Sequence, residues 1–162
     1  VLFRSEPQRF DAAALPAKLE DGTPMPPGTV VIDQAGGGAT ARRASSFGAV
    51  LAHGPYISLP HGRYRVSFFL RADSARASAR MVRLDVREDS DSWRSSLWSW
   101  IVHGREVDGP SYQRIDHEFT STGEGSFSIA VVTLTRDPVF FSRVEVTPIG
   151  GPSSHAMIGA AR

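Results

Sequence analysis

The stretch His53–Asp73, HGPYISLPHGRYRVSFFLRAD, decides the reading of the fold. Its second half alternates strictly: Tyr64, Val66, Phe68 and Leu70 interleave with Arg65, Ser67, Phe69 and Arg71. A period of two places every second side chain on one face of a strand, so one face meets a core. Before it, Pro60-His61-Gly62 reads as a tight turn, with Pro60 fixing the way in and Gly62 supplying backbone freedom. The expectation is a short strand, a turn and a long strand, together a hairpin.

Similar strands follow along the chain. Arg80–Arg87 sets Val82, Leu84 and Val86 against Arg83, Asp85 and Arg87. Leu97–His103 carries Trp98 and Trp100, and Tyr112–Thr120, Ser126–Thr135 and Val139–Pro148 complete the second half. Thr29–Asp33, Ala49–His53 and Tyr56–Leu59 are the strands expected earlier. Nine or ten short strands punctuated by Gly, Pro, Ser and Asp predict an all-β sandwich or barrel. No helix-length periodic segment supports a βαβ architecture, and no fixed repeat supports a propeller.

Composition bounds the rest. The chain of 162 residues is one domain's worth. Its formal charge of +1 gives no bulk electrostatic case for nucleic acid, and no apolar run reaches membrane-spanning length. The chain has no cysteine, which excludes disulfides, thiolate metal sites and a cysteine nucleophile. That absence suits a reducing cytosol and an extracellular domain equally, so the compartment stays open. Asparagine is absent and Lys18 is the sole lysine, a usage expected of a GC-rich bacterial, here metagenomic, source. The opening VLFRS (1–5) reads as a sequencing-adapter or tag remnant, and 6–28, rich in Ala and Pro, as an extended lead-in. The domain proper is expected over 29–149 and a flexible tail over 150–162.

Several segments beyond the first stretch carry a family resemblance. They are RLDVRED (83–89), VHGREV (102–107), YQRIDHEF (112–119) and VFFSRVEVTPI (139–149). In this order, with GPYI-x-LP-x-G-x-Y-x-V-x-F-x-L-R-A (54–72), they resemble jelly-roll domains of the galactose-binding-like type, to which many carbohydrate-binding modules belong. The resemblance runs from about Thr29 to Ile149. It implies a jelly-roll β-sandwich of two antiparallel sheets and a glycan-binding, non-catalytic accessory module of a larger carbohydrate-active protein. The partner it implies is a polysaccharide or oligosaccharide, with neither nucleic acid nor membrane insertion. It implies no cofactor beyond a structural calcium, for which Asp33, Asp137 and Glu145 are the carboxylates considered.

Aromatic rings grip the apolar faces of sugars, so the tryptophans and tyrosines are the candidate contacts. Trp93 comes first: it sits in the polar loop DSDSWRSS, where Asp91 and Arg94 can bond hydroxyls. The competing reading folds Trp93 back over the sandwich edge. Tyr112 and Arg114 come second and Trp98 third. Trp98 and Trp100 share a face, and core packing is the expected role, with an exposed stacking platform as the alternative. His117 falls on the inward face with Ile115 and Phe119. Two other functions are carried: a small jelly-roll lyase or hydrolase, and a structural or assembly sandwich. A lyase site of Tyr112, His117 and Arg114 is opposed by alternation, which turns His117 away from the other two. His spacing offers no transition-metal site, and Gly36-Gly37-Gly38 lacks the lysine and helix of a phosphate loop.

Overall fold

The computed structural model describes residues 6–26 and 29–150. The expected adapter remnant and nearly all of the expected tail lie outside them. Ten strands account for most of the rest: β1 (Gln8–Asp11), β2 (Val30–Asp33), β3 (Ala39–Ala44), β4 (Val50–Ile57), β5 (Gly62–Ala72), β6 (Arg80–Asp89), β7 (Arg94–His103), β8 (Gln113–Ser121), β9 (Ser126–Thr133) and β10 (Val139–Pro148). A 3-10 turn lies at Ala12–Ala14 and a single-turn helix, α1, at Gly104–Val107.

The strands form two sheets with antiparallel pairing throughout, a jelly-roll sandwich as expected. The six-stranded sheet runs β2-β3-β10-β5-β8, with β1 also paired to β10. The four-stranded sheet runs β4-β9-β6-β7. Between them lie the alternating apolar sets read from the sequence. Val66, Phe68 and Leu70 of β5, Leu84 and Val86 of β6, and Val131 of β9 are all fully buried. Tyr64, Phe119 and Phe127 continue this core as a run of stacked rings, with centroids 5.7 and 5.2 Å apart. Burying each such ring contributes about 1.5–3 kcal/mol.

Three expectations about connectivity are corrected. The deciding stretch is not a hairpin. β4 pairs with β9 in one sheet, while β5 pairs with β10 and β8 in the other. Pro60-His61-Gly62 therefore carries the chain across the sandwich from sheet to sheet. The two short strands expected around Gly54-Pro55 are one strand, β4, with register shifts absorbing the irregular backbone. The lead-in is not merely extended: its Gln8–Asp11 joins the six-stranded sheet, pairing with Val146–Arg143 of β10. β3 covers Val139–Phe141 of that strand and β1 covers Arg143–Val146, with an irregularity at Ser142 between them.

A buried polar cluster ties the β2–β3 connection to this sheet. Arg71, 1% exposed, gives Nε to Asp33 Oδ2 and Nη2 to Asp33 Oδ1, both at 2.5 Å. It also donates to Asp73. Its guanidinium lies over Phe140, 4.0 Å from the ring centre. Gly36 is forced here, because a Cβ would fall 2.2 Å from Asp33 Oδ2 and 2.6 Å from Tyr112 Cε2.

Candidate functional site

A sandwich interior ends at its outermost strands. β7 is the last strand of one sheet and β8 of the other, and their inward side chains meet at an open rim. Trp98 pairs across from Val86 and Trp100 from Leu84, so both indoles take the inward register. With no further strand beyond β7 to cover them, they are not fully enclosed. Trp98 is half-buried, 6.3 Å from Phe68, and Trp100 is 47% exposed. The core role expected for the pair therefore holds only in part, for Trp98. The edge position of β7 was not visible in the sequence.

His117 reaches across from β8. Its ring stacks on Trp98 with centroids 4.4 Å apart and planes 6° from parallel. Trp98 in turn lies parallel to Trp100, at 6.4 Å and 5°. Three flat rings thus share one orientation along the rim. Burial lowers the pKa of His117, against a weaker opposing pull from Glu118. These rings with Ile115 line an open groove of about 450 Å³. Glu106, Arg114 and Asp116 also line it, the last two in the register of β8 that alternates with Ile115 and His117, as the sequence pattern required. Arg114 Nη2 lies 3.2 Å from Asp116 Oδ2. Glu106 is set by α1, where its Oε2 accepts the His103 backbone N–H at 2.7 Å. A flat exposed indole ringed by hydrogen-bonding side chains suits a ligand that is apolar on its face and polar at its edge.

Of the candidate contacts, Trp98 and Arg114 come together in this groove. Trp100, His117, Asp116 and Glu106 join them, and Glu106 and Asp116 had no signal in the sequence. The others lie elsewhere. Trp93 precedes β7, five residues from Trp98, or roughly 16 Å along an extended strand. It is half-buried, with Asp91 and Arg94 exposed beside it. Its indole edge rests on Gly125, where a Cβ would be 2.8 Å from Trp93 Cη2. This is the folded-back arrangement considered for it. Under it, Glu88 continues the inward set of Val82, Leu84 and Val86 and is 1% exposed. One of its oxygens accepts from the backbone and side chain of Thr122, and the other has no protein partner. Tyr112 lies outside β8 and belongs to the polar cluster, donating its hydroxyl to Asp33 Oδ2 at 2.7 Å. Burial and then the Asp33 carboxylate push its pKa well up.

The three carboxylates considered for calcium do not fit the ion as they are placed. Asp33 spends both oxygens on Arg71 and is also bonded by Tyr112 and the Gly36 N–H. Glu145 is bonded by Arg143 at 3.0 Å, and Asp137 is exposed in the β9–β10 connection. Among the described residues no group of three or more acidic or histidine side chains converges.

No protein-family model matches the sequence, and no curated protein matches it. The similarity is one of shape. The xylan-binding module CBM15 superposes with a TM-score of 0.53 at 10% identity, over 90% of this chain and 97% of that one. The chain has the jelly-roll fold of carbohydrate-binding modules. A family 35 carbohydrate-binding module from Clostridium thermocellum gives a TM-score of 0.50 at 12% identity, over 89% of this chain and 99% of that one. The CBM22-1–GH10 portion of the Clostridium thermocellum endo-1,4-β-D-xylanase 10B gives 0.52 at 14% identity. There the match covers 76% of this chain but spans only 24% of that one. At these identities the likeness establishes the fold.

Proposed function

We propose that this domain binds glycan chains without catalysis, in the groove between β7 and β8, as an accessory module of a larger carbohydrate-active protein. The observation that carries the reading is the exposed Trp100, held parallel to Trp98 and His117 in a groove that Glu106, Arg114 and Asp116 also line. A pyranose packs its C–H face on the indole while its hydroxyls bond polar groups of the groove. The rings are braced before the ligand arrives, so little side-chain order is lost on binding. The modular likeness in fold supports the same reading by analogy.

The lyase alternative needs a tyrosine hydroxyl beside His117 and Arg114. The Tyr112 hydroxyl is instead engaged by Asp33 in the buried cluster. The test is a glycan array probed with the parent domain and with Trp100→Ala and Trp93→Ala. Binding lost in Trp100→Ala and kept in Trp93→Ala supports the groove. The opposite pattern moves the contact to the β6–β7 loop, with Asp91 and Arg94. No binding to any glycan makes the structural or assembly reading the better one.

A further inference from the structure

We infer that His117 is the hydrogen-bonding contact of the groove, the ring edge that reads a hydroxyl of the glycan. The inference rests on the glycan-binding reading of the groove and names a specificity-determining residue within it. The inward positions of β8 are Ile115, His117 and Phe119, opposite Phe68, Val66 and Tyr64 of β5. An imidazole thus stands in a line of apolar side chains. A phenyl ring at that place would stack on Trp98 with less to lose by leaving water. Arg114, Asp116 and Glu118 take the alternate register and face the other side of the sheet. His117 is therefore the polar side chain of β8 that shares a face with the rings.

Its nitrogens are open. Neither bonds a described residue, and neither is sealed in the interior, where the unpartnered side-chain atoms are Arg42 Nε and Glu88 Oε2. The other partly buried histidines are engaged. His53 Nδ1 bonds the Tyr56 hydroxyl at 2.7 Å, and His103 caps α1, its side chain accepting the Glu106 N–H. His117 is fixed by its face instead, 4.4 Å from Trp98 and 6° from parallel. Stacking leaves the edge of the ring free and holds it in one plane, close to that of Trp100, since Trp98 and Trp100 are themselves 5° from parallel. In the neutral imidazole one nitrogen donates and the other accepts, and in the charged ring both donate. A hydroxyl does both, so either form has a bond to offer it. A group already held in place loses little freedom on binding.

The test sets the stack against the nitrogens. His117→Phe keeps a flat ring on Trp98 and removes both nitrogens. His117→Gln removes the ring and keeps a donor and an acceptor. Calorimetry measures the binding of hexamers of glucose, xylose, mannose and galactose to the parent domain and to both variants. The fitted stoichiometry gives the folded fraction of each protein, so a partly misfolded variant does not pass for a weak binder. For a hexamer that binds, His117→Phe is expected to weaken binding about threefold to tenfold, the loss of one hydrogen bond. Its Tm should stay within about 2 °C of the parent's, because the stack survives. His117→Gln should bind more tightly than His117→Phe. A Phe variant that binds as tightly as the parent, or at least as tightly as the Gln variant, overturns the inference and leaves His117 a brace for Trp98, with glycan binding intact. If none of the four hexamers binds, the glycan-binding reading itself falls and takes this inference with it.

Discussion

Replacing Asp33 with alanine should be among the most damaging single changes in this domain. The side chain accepts four hydrogen bonds: two from Arg71, one from Tyr112 and one from the Gly36 N–H. Arg71 is 1% exposed and would keep only Asp73, itself 48% exposed, and the Gly109 carbonyl as polar partners. Stripping one partner from a buried ion pair costs about 3–5 kcal/mol, because the remaining charge stays buried without compensation. For a chain of this length that is a fall in Tm of roughly 8–15 °C. Urea denaturation gives the free energy directly, and the double variant Asp33→Ala/Arg71→Met supplies the control. The double variant should be more stable than Asp33→Ala alone, since it removes the stranded guanidinium. The pH dependence follows from the same contact. The Arg71 guanidinium is the main cause that holds the Asp33 carboxyl below its ordinary value of 3.8. Its contribution is therefore fully present above about pH 4 and is lost as pH falls further, through the folded-state value. A loss under about 1 kcal/mol in Asp33→Ala, or a double variant no better than the single, would refute the reasoning.

Other expectations can be checked with the same denaturation assays. Phe68→Ala should cost about 3–5 kcal/mol, since the ring is fully buried between the sheets and supports Trp98. Gly36→Ala should cost about 1–3 kcal/mol, because its methyl group collides with Asp33 and Tyr112; a neutral result would show that the β2–β3 connection yields freely. Adding EDTA or millimolar calcium should leave Tm unchanged, given that Asp33 and Glu145 are engaged by arginines; a calcium-dependent rise would put an ion at other ligands. Trp100→Ala should weaken glycan binding at least about tenfold while shifting Tm by less than about 2 °C, because the indole is already half in water.

The strands were legible because alternation is written locally. Tyr64 to Leu70 and Val82 to Val86 face the core as the pattern required. The same alternation put His117 with Ile115 and Phe119, and in β6 it runs one step beyond Val86 to the buried Glu88. What the pattern lacks is any statement of which strand lies beside which. The stretch from Gly54 to Ala72 looks identical whether its two strands pair with each other or part at Pro60, and they part. Trp98 and Trp100 share a face in either reading. Only the terminal place of β7 in its sheet decides that one is packed and the other open. The Arg71–Asp33 pair joins residues 38 apart in sequence, and Tyr112 meets Asp33 across 79, separations at which residue type alone gives no warning. Trp93 seemed free because its loop is polar, yet the missing side chain at Gly125 offers it a seat.

The pairing of β1 with β10 has a consequence for how such a unit sits in a longer polypeptide. Gln8 lies opposite Val146, so the chain arrives at the sheet and departs from it on neighbouring strands, their backbones about 5 Å apart. A host protein could carry this sandwich as an outgrowth from a surface loop, with the host's own backbone barely spread at the junction.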